Sequence, residues 1–167
     1  MRLAGRLKLG FYPLPTQEAA RIRFHLQYPD EFAALDPCVG DGVAFTRILD
    51  GAKAFAHGIE IDAFRAEEAS KLGVRVVHAS AIDIRCPAES LSLLYLNPPY
   101  DFEVGQQENK RLEAVFLEHT YRWLKVKGVL VFVLPRKQLS VCARLLAEQF
   151  VGLRIYSLTE SESLKYD

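Results

Sequence analysis

The chain has 167 residues, half of them hydrophobic and a quarter charged, with 21 basic (Lys+Arg) and 21 acidic (Asp+Glu) side chains. That length suits one domain, and that much apolar material can bury a core, which excludes a disordered chain. Zero net charge excludes gripping nucleic acid by bulk electrostatics, so any such partner has to be held by a local patch or with outside help.

Cys38, Cys86 and Cys142 are odd in number and form no CxxC pair, so neither a disulfide framework nor a cysteine zinc site is expected, and a reducing cytosol fits. The N-terminus, MRLAGRLKLGFYPLP, is too polar and too soon broken by Pro13 and Pro15 for a secretory signal. No run reaches the roughly 18 apolar residues of a membrane span, so a cytoplasmic protein with no membrane partner is expected. Arg2, Arg6, Lys8, Arg21 and Arg23 form either a phosphate patch or an ordinary solvated surface.

In chain order, a first helix is expected after Thr16, read as its N-cap behind the proline turn. Short β-rich apolar runs follow at residues 32–36, 54–60, 74–78, 91–96, 128–134 and 153–158. Most are near-continuous rather than alternating, as in strands buried on both faces. Between them lie helix-like stretches. Leu112, Val115, Phe116, His119 and Trp123 share one face at helical spacing, as do Cys142, Leu145, Leu146 and Phe150. This alternation predicts an α/β fold: a Rossmann-like three-layer α/β/α sandwich, its sheet mainly parallel, over a single domain spanning residues 1–167. In such sheets ligands lie outside the carboxyl ends of the strands, and each motif below falls at such an end.

The first strand runs into Asp36-Pro37-Cys38-Val39-Gly40-Asp41-Gly42 and then a helix. Gly40 and Gly42 allow backbone angles closed to other residues and a close ligand approach; a bare tight turn is the alternative. The pattern is neither GxGxxG nor a phosphate loop, which speaks against a dinucleotide or ATP. The second strand ends Gly58-Ile59-Glu60-Ile61-Asp62. Glu60 stands 18 residues beyond Gly42, close to the ~20 at which an acid meets ribose hydroxyls, where it could accept two hydrogen bonds from a vicinal diol. Ser80, Ala81 and Asp83 follow the third strand, either where an adenine ring would be read or in an ordinary loop.

The fourth strand stops at Asn97-Pro98-Pro99-Tyr100. The two prolines fix φ, remove two donors and hold Asn97 extended, which makes a stiff rim exposing the Asn97 amide and the Pro98 carbonyl as acceptors. An aromatic amino group is a poor nucleophile because its lone pair is delocalised. Two acceptors on its N–H bonds localise that pair, and Tyr100 offers a face on which a planar base can stack. A rigid turn with a buried tyrosine is the structural alternative.

Together these residues resemble the class I S-adenosylmethionine-dependent methyltransferases, particularly the N6-adenine DNA methyltransferases. Asp36–Gly42 looks like the cofactor motif, Gly58–Asp62 like the ribose-binding strand end, and Asn97–Tyr100 like the catalytic (D/N/S)PP(Y/F/W) motif. Phe11-Tyr12-Pro13-Leu14-Pro15-Thr16 resembles the segment that closes over the cofactor's methionine portion, so that residues 1–15 form a closing segment. The likeness spans residues 11–136. It implies S-adenosyl-L-methionine as cofactor, bordered by Tyr12, Pro13, Thr16, Asp36, Pro37, Gly40, Gly42, Glu60, Ile61, Ser80, Ala81 and Asn97. It further implies Asn97, Pro98, Pro99 and Tyr100 as the catalytic set, acting on an adenine flipped out of DNA without a metal. Ser80 stands where the family more often has Asp.

Two departures from that family are visible. Its sheet has seven strands; here 153–158 can supply the sixth, but 159–167 is too short and polar for a seventh, leaving a sheet edge through which a homodimer could form. Nor is there length for a target-recognition region. The same motif also looks like that of release-factor glutamine and ribosomal RNA methyltransferases, and a non-catalytic cofactor-binding module is a third reading. The four histidines have no metal-ligand spacing, and no Ser/His/Asp elbow occurs.

Overall fold

A computed structural model of the chain describes residues 12–100 and 111–159. Five parallel strands form one sheet: β1 (Phe32–Asp36), β2 (Ala54–Glu60), β3 (Arg75–His78), β4 (Leu91–Leu96) and β5 (Leu124–Phe132), in the order β3-β2-β1-β4-β5. The chain builds outward from β1 to β3, then crosses back to place β4 on the other side of β1. The strand order therefore reverses between β1 and β4, which pair through Ala34 with Leu93 and Leu35 with Leu94. Ligand crevices open at such a reversal because the loops leaving the two strands diverge.

Helices cover both faces: α1 (Thr16–Phe24), α2 (Val43–Ile48), α3 (Ala63–Lys71), α4 (Leu112–Thr120) and α5 (Leu139–Gln149). Alternate strand residues feed two cores. Phe32, Ala34, Leu93 and Tyr95 pack with Ala19, Phe45, Ile48 and Ala69, from α1, α2 and α3. Leu35, Ile59, Leu94 and Leu96 pack with Phe116, Leu117, Cys142 and Leu146, from α4 and α5. β4 contributes to both cores, and this explains its unbroken apolar run. The expected three-layer sandwich is thus present.

Three expectations need correction. Thr16 is the first residue of α1 and not its cap. Pro15 takes the cap position with extended angles, its carbonyl accepts from the Ala19 amide at 3.0 Å, and no side chain caps the helix. β5 starts at Leu124 rather than at 128. Its first half carries exposed Lys125 and Lys127 and a register irregularity opposite β4, a pattern that hides a strand among polar residues.

The third correction is that residues 153–158 form no strand. This segment is tied to α1 instead. The Thr159 amide and hydroxyl donate to Glu18 Oε1 at 3.0 and 2.7 Å, His25 stacks on Tyr156, and Leu158 packs against the α1 side of the core. Among the described residues, β5 is therefore an edge strand.

Candidate active site

A cavity of about 450 Å³ opens at the carboxyl ends of β1, β2 and β4. Asp36, Pro37, Glu60, Ile61, Ser80, Ala81, Asp83, Asn97, Pro99, Tyr12 and Pro13 all line it. Residues separated by more than 80 positions in sequence thus meet around one hollow, as the topology requires. Thr16, Gly40, Gly42, Pro98 and Tyr100 do not line it. Gly40 and Gly42 shape the turn behind the wall, Pro98 is fully buried, and Thr16 lies in the first turn of α1. The region 101–110 that follows Tyr100, and Phe11, lie outside the described residues.

The β1–α2 turn is organised by its own side chains. Asp36 Oδ1 accepts the Cys38 amide at 2.8 Å, closing a turn of the kind Asp favours, and the Val39 amide donates to the Ile59 carbonyl at 3.0 Å. Gly42 has φ +80°, and a Cβ there would sit 2.9 Å from the Cα of Ala69 on α3. Gly58 has a related role: a Cβ would meet the Val39 side chain at 2.7 Å, so the turn can lie on β2 only because nothing projects there.

Two carboxylates are sunk in this wall, Asp36 and Glu60, 2% and 5% exposed. Burial raises the Asp36 pKa well above the usual carboxylate value; the Cys38 amide opposes the shift and the charge of Glu60 adds to it. The Cys38 thiol is pushed well up by burial and by these two neighbours, so it is not a thiolate nucleophile.

Glu60 is surrounded by donors. Its Oε2 accepts the Gly40 amide at 2.9 Å, while its Oε1 accepts the Asp62 amide at 2.9 Å and Arg65 Nε and Nη2 at 3.1 and 2.7 Å. Arg65 is delivered by α3, whose N-cap Asp62 accepts the Arg65 amide through Oδ1 at 2.9 Å. His78, on β3, donates through Nε2 to the Ile61 carbonyl at 3.0 Å and steadies the strand end next to Glu60.

On the opposite wall, Asn97 Nδ2 donates to the Tyr12 carbonyl at 3.0 Å, and its Oδ1 accepts from the Tyr100 hydroxyl at 2.6 Å. The Tyr12 and Tyr100 rings stack with centroids 5.3 Å apart. The segment before α1 is thereby fastened onto the diproline loop.

Sequence reading missed several wall residues. Tyr95, Leu112 and Phe116 line the cavity but have the spacing of ordinary core positions. Arg65 carried no signal either, because its partner Glu60 is on a strand and not at a helical spacing from it. Among the described residues that line the cavity none is basic, while Asp36, Asp41, Glu60 and Asp83 are acidic. Such a site suits a ligand with a cationic end and disfavours a polyphosphate. Among the described residues no cluster of three metal-ligating side chains occurs, and no helix is long and apolar enough to cross a membrane.

The sequence matches the model of an uncharacterised methyltransferase family (DUF6094) over residues 1–167, and the chain belongs to that family. No curated protein matches it significantly. Among solved structures it is similar to a protein from Listeria monocytogenes assigned as a class I S-adenosylmethionine-dependent methyltransferase, with TM-score 0.73 and 12% identity over 85% of this chain and 54% of that one. It is also similar to geranyl diphosphate C-methyltransferase from Streptomyces coelicolor A3(2), solved with S-adenosyl-L-homocysteine, with TM-score 0.56 and 19% identity over 90% of this chain and 59% of that one. A third similar structure, from Methanococcus maripaludis, is assigned as an S-adenosyl-L-methionine-dependent methyltransferase, with TM-score 0.54 and 15% identity over 86% and 68% of the two chains. The chain spans a little over half the length of the first two. The shared feature is the class I methyltransferase fold.

Proposed function

We propose that the chain is an S-adenosylmethionine-dependent N-methyltransferase whose acceptor is a planar amino nitrogen, with the N6 group of a flipped-out adenine in DNA as the favoured acceptor. The observation that carries this reading is that Asn97 of the Asn-Pro-Pro-Tyr loop and the carboxylates Asp36 and Glu60 wall a single cavity. Its volume falls within the ~300–1,000 Å³ of small-molecule sites, and its apolar walls with a few convergent polar groups follow the same pattern.

The cofactor supplies an electrophilic methyl already activated on a sulfonium sulfur. Glu60 would hold the ribose, Ser80, Ala81 and Asp83 would border the adenine end, and Asp36 would face the α-ammonium of the amino-acid end together with Tyr12 and Pro13. Asn97 would accept an N–H of the acceptor and draw its lone pair out of conjugation. Tyr100, whose ring stacks on Tyr12 outside the cavity lining, would orient Asn97 Oδ1 through its hydroxyl. No side chain has to hold a proton before transfer, so positioning carries most of the catalysis.

The test has two arms on the full chain. Calorimetric titration with S-adenosylhomocysteine should show saturable heat; background heat alone would favour a non-catalytic module. Transfer of labelled methyl from S-adenosylmethionine should then reach an adenine-containing DNA oligonucleotide and fail on the same strand carrying N6-methyladenine. Transfer to RNA or to a protein glutamine, with none to DNA, would keep the cofactor half of the proposal and replace the acceptor.

A further inference from the structure

Glu60 was expected to take a vicinal diol with two hydrogen bonds, one to each hydroxyl. A carboxylate has about four acceptor positions, two on each oxygen. The hydrogen-bond partners fill them unequally. Oε1 already receives three donors, the Asp62 amide and two N–H groups of Arg65. Among the described residues, Oε2 receives only the Gly40 amide. The carboxylate is 5% exposed and the Arg65 side chain 14% exposed. Arg65 does not line the cavity, whereas Glu60 does. The Arg65 backbone is fixed in the first turn of α3, since its amide is held by the helix cap.

We infer that Arg65 is a positioning residue that saturates one oxygen of Glu60 and turns the carboxylate into a one-oxygen handle, so that Glu60 holds one of the cofactor's two ribose hydroxyls and not both. The inference rests on the proposed reading of Glu60 as the ribose acceptor. It gives Arg65 two effects. The ion pair fixes the Glu60 rotamer with Oε2 toward the Gly40 amide, and it removes Oε1 from competition for the second hydroxyl. That second hydroxyl is left to other groups, so the two ends of the diol are recognised independently.

The experiment measures the affinity of the full-length protein for S-adenosylhomocysteine and for its 2′-deoxy and 3′-deoxy analogues. The wild type is compared with Glu60→Ala and Arg65→Met. Each analogue's penalty is its loss of affinity relative to the parent ligand. In Glu60→Ala one penalty should shrink by about fivefold or more, as expected for a lost bond to a charged group, while the other stays within about twofold. In Arg65→Met the second penalty should grow by about fivefold, because Oε1 becomes available to the second hydroxyl.

Equal shrinkage of both penalties in Glu60→Ala, or a second penalty unchanged in Arg65→Met, overturns the inference. A purely structural Arg65 would weaken all three ligands by one factor, leaving both penalties unchanged. If neither penalty responds to Glu60→Ala, the ribose role of Glu60 itself falls, a separate failure. Should Glu60→Ala lose its native circular dichroism, the comparison of wild type with Arg65→Met decides alone.

Discussion

Asn97 has both ends of its amide engaged within the protein, through the Tyr12 carbonyl and the Tyr100 hydroxyl. A carbonyl oxygen has a second lone pair, so Oδ1 can still accept an N–H from an acceptor molecule. Asn97→Ala is expected to lower single-turnover methyl transfer by about 100-fold or more, a size typical of lost hydrogen bonds aimed at a transition state. Its affinity for S-adenosylhomocysteine should change by less than about threefold, because the proposed role puts the amide on the acceptor side. Parallel loss of affinity would contradict that role. At Asp36 the prediction concerns protons. Its folded-state pKa lies above that of the unfolded chain, so between those values the folded form binds more protons and stability falls as pH rises. The α-ammonium group of the ligand prefers the ionised carboxylate. Affinity for S-adenosylhomocysteine should therefore rise as pH rises through the raised Asp36 pKa, and Asp36→Asn should flatten that rise.

At the level of elements, the turn between β1 and α2 depends on a glycine at position 42. Gly42 combines a positive φ with a helix backbone 2.9 Å from the position of a Cβ. Gly42→Ala should cost about 1–3 kcal/mol from backbone strain alone, read as a lower urea midpoint with unchanged slope. Three strands, β1, β2 and β4, keep the limits that their apolar runs suggested, because strands packed on both faces must be continuously apolar. The edge strand β5 was legible only in its second half, since one side of an edge meets solvent and tolerates lysine. Residues 153–158 carry a strand-like pattern for the converse reason: a short segment with Leu153, Ile155, Tyr156 and Leu158 reads the same whether or not a partner strand lies beside it. At the site, the glycine turn, Glu60 and the Asn-Pro-Pro-Tyr loop carried local chemical signatures and could be found. Leu112, Phe116 and Arg65 depend on tertiary neighbours, and sequence spacing cannot distinguish such residues from core or surface.

Across the whole molecule, a buried acid, Glu18, helps to tie α1 to the residues leading away from α5. Burial raises the Glu18 pKa, but hydrogen bonds from Thr159, and from Arg21, outweigh it and leave the value lowered. The resulting stability is present above the ordinary glutamate pKa and is lost as pH falls through the lowered value. Glu18→Ala should cost about 1.5–3 kcal/mol, the range for hydrogen bonds to a charged group. Amide exchange over residues 153–159 should quicken more than at β1 or β4. Equal quickening everywhere would mean that the contact stabilises the whole fold rather than this strap.

The reversal of strand order between β1 and β4 has a further effect. The hollow's two walls come from opposite halves of the polypeptide and exist only after those halves have met. Occupancy and global folding are therefore one linked equilibrium, and a molecule that binds there at 100 times its dissociation constant should add about 2.7 kcal/mol to the unfolding free energy. A chain ending before Leu96 lacks one wall altogether, so it should show no ligand-induced rise in melting temperature at any concentration.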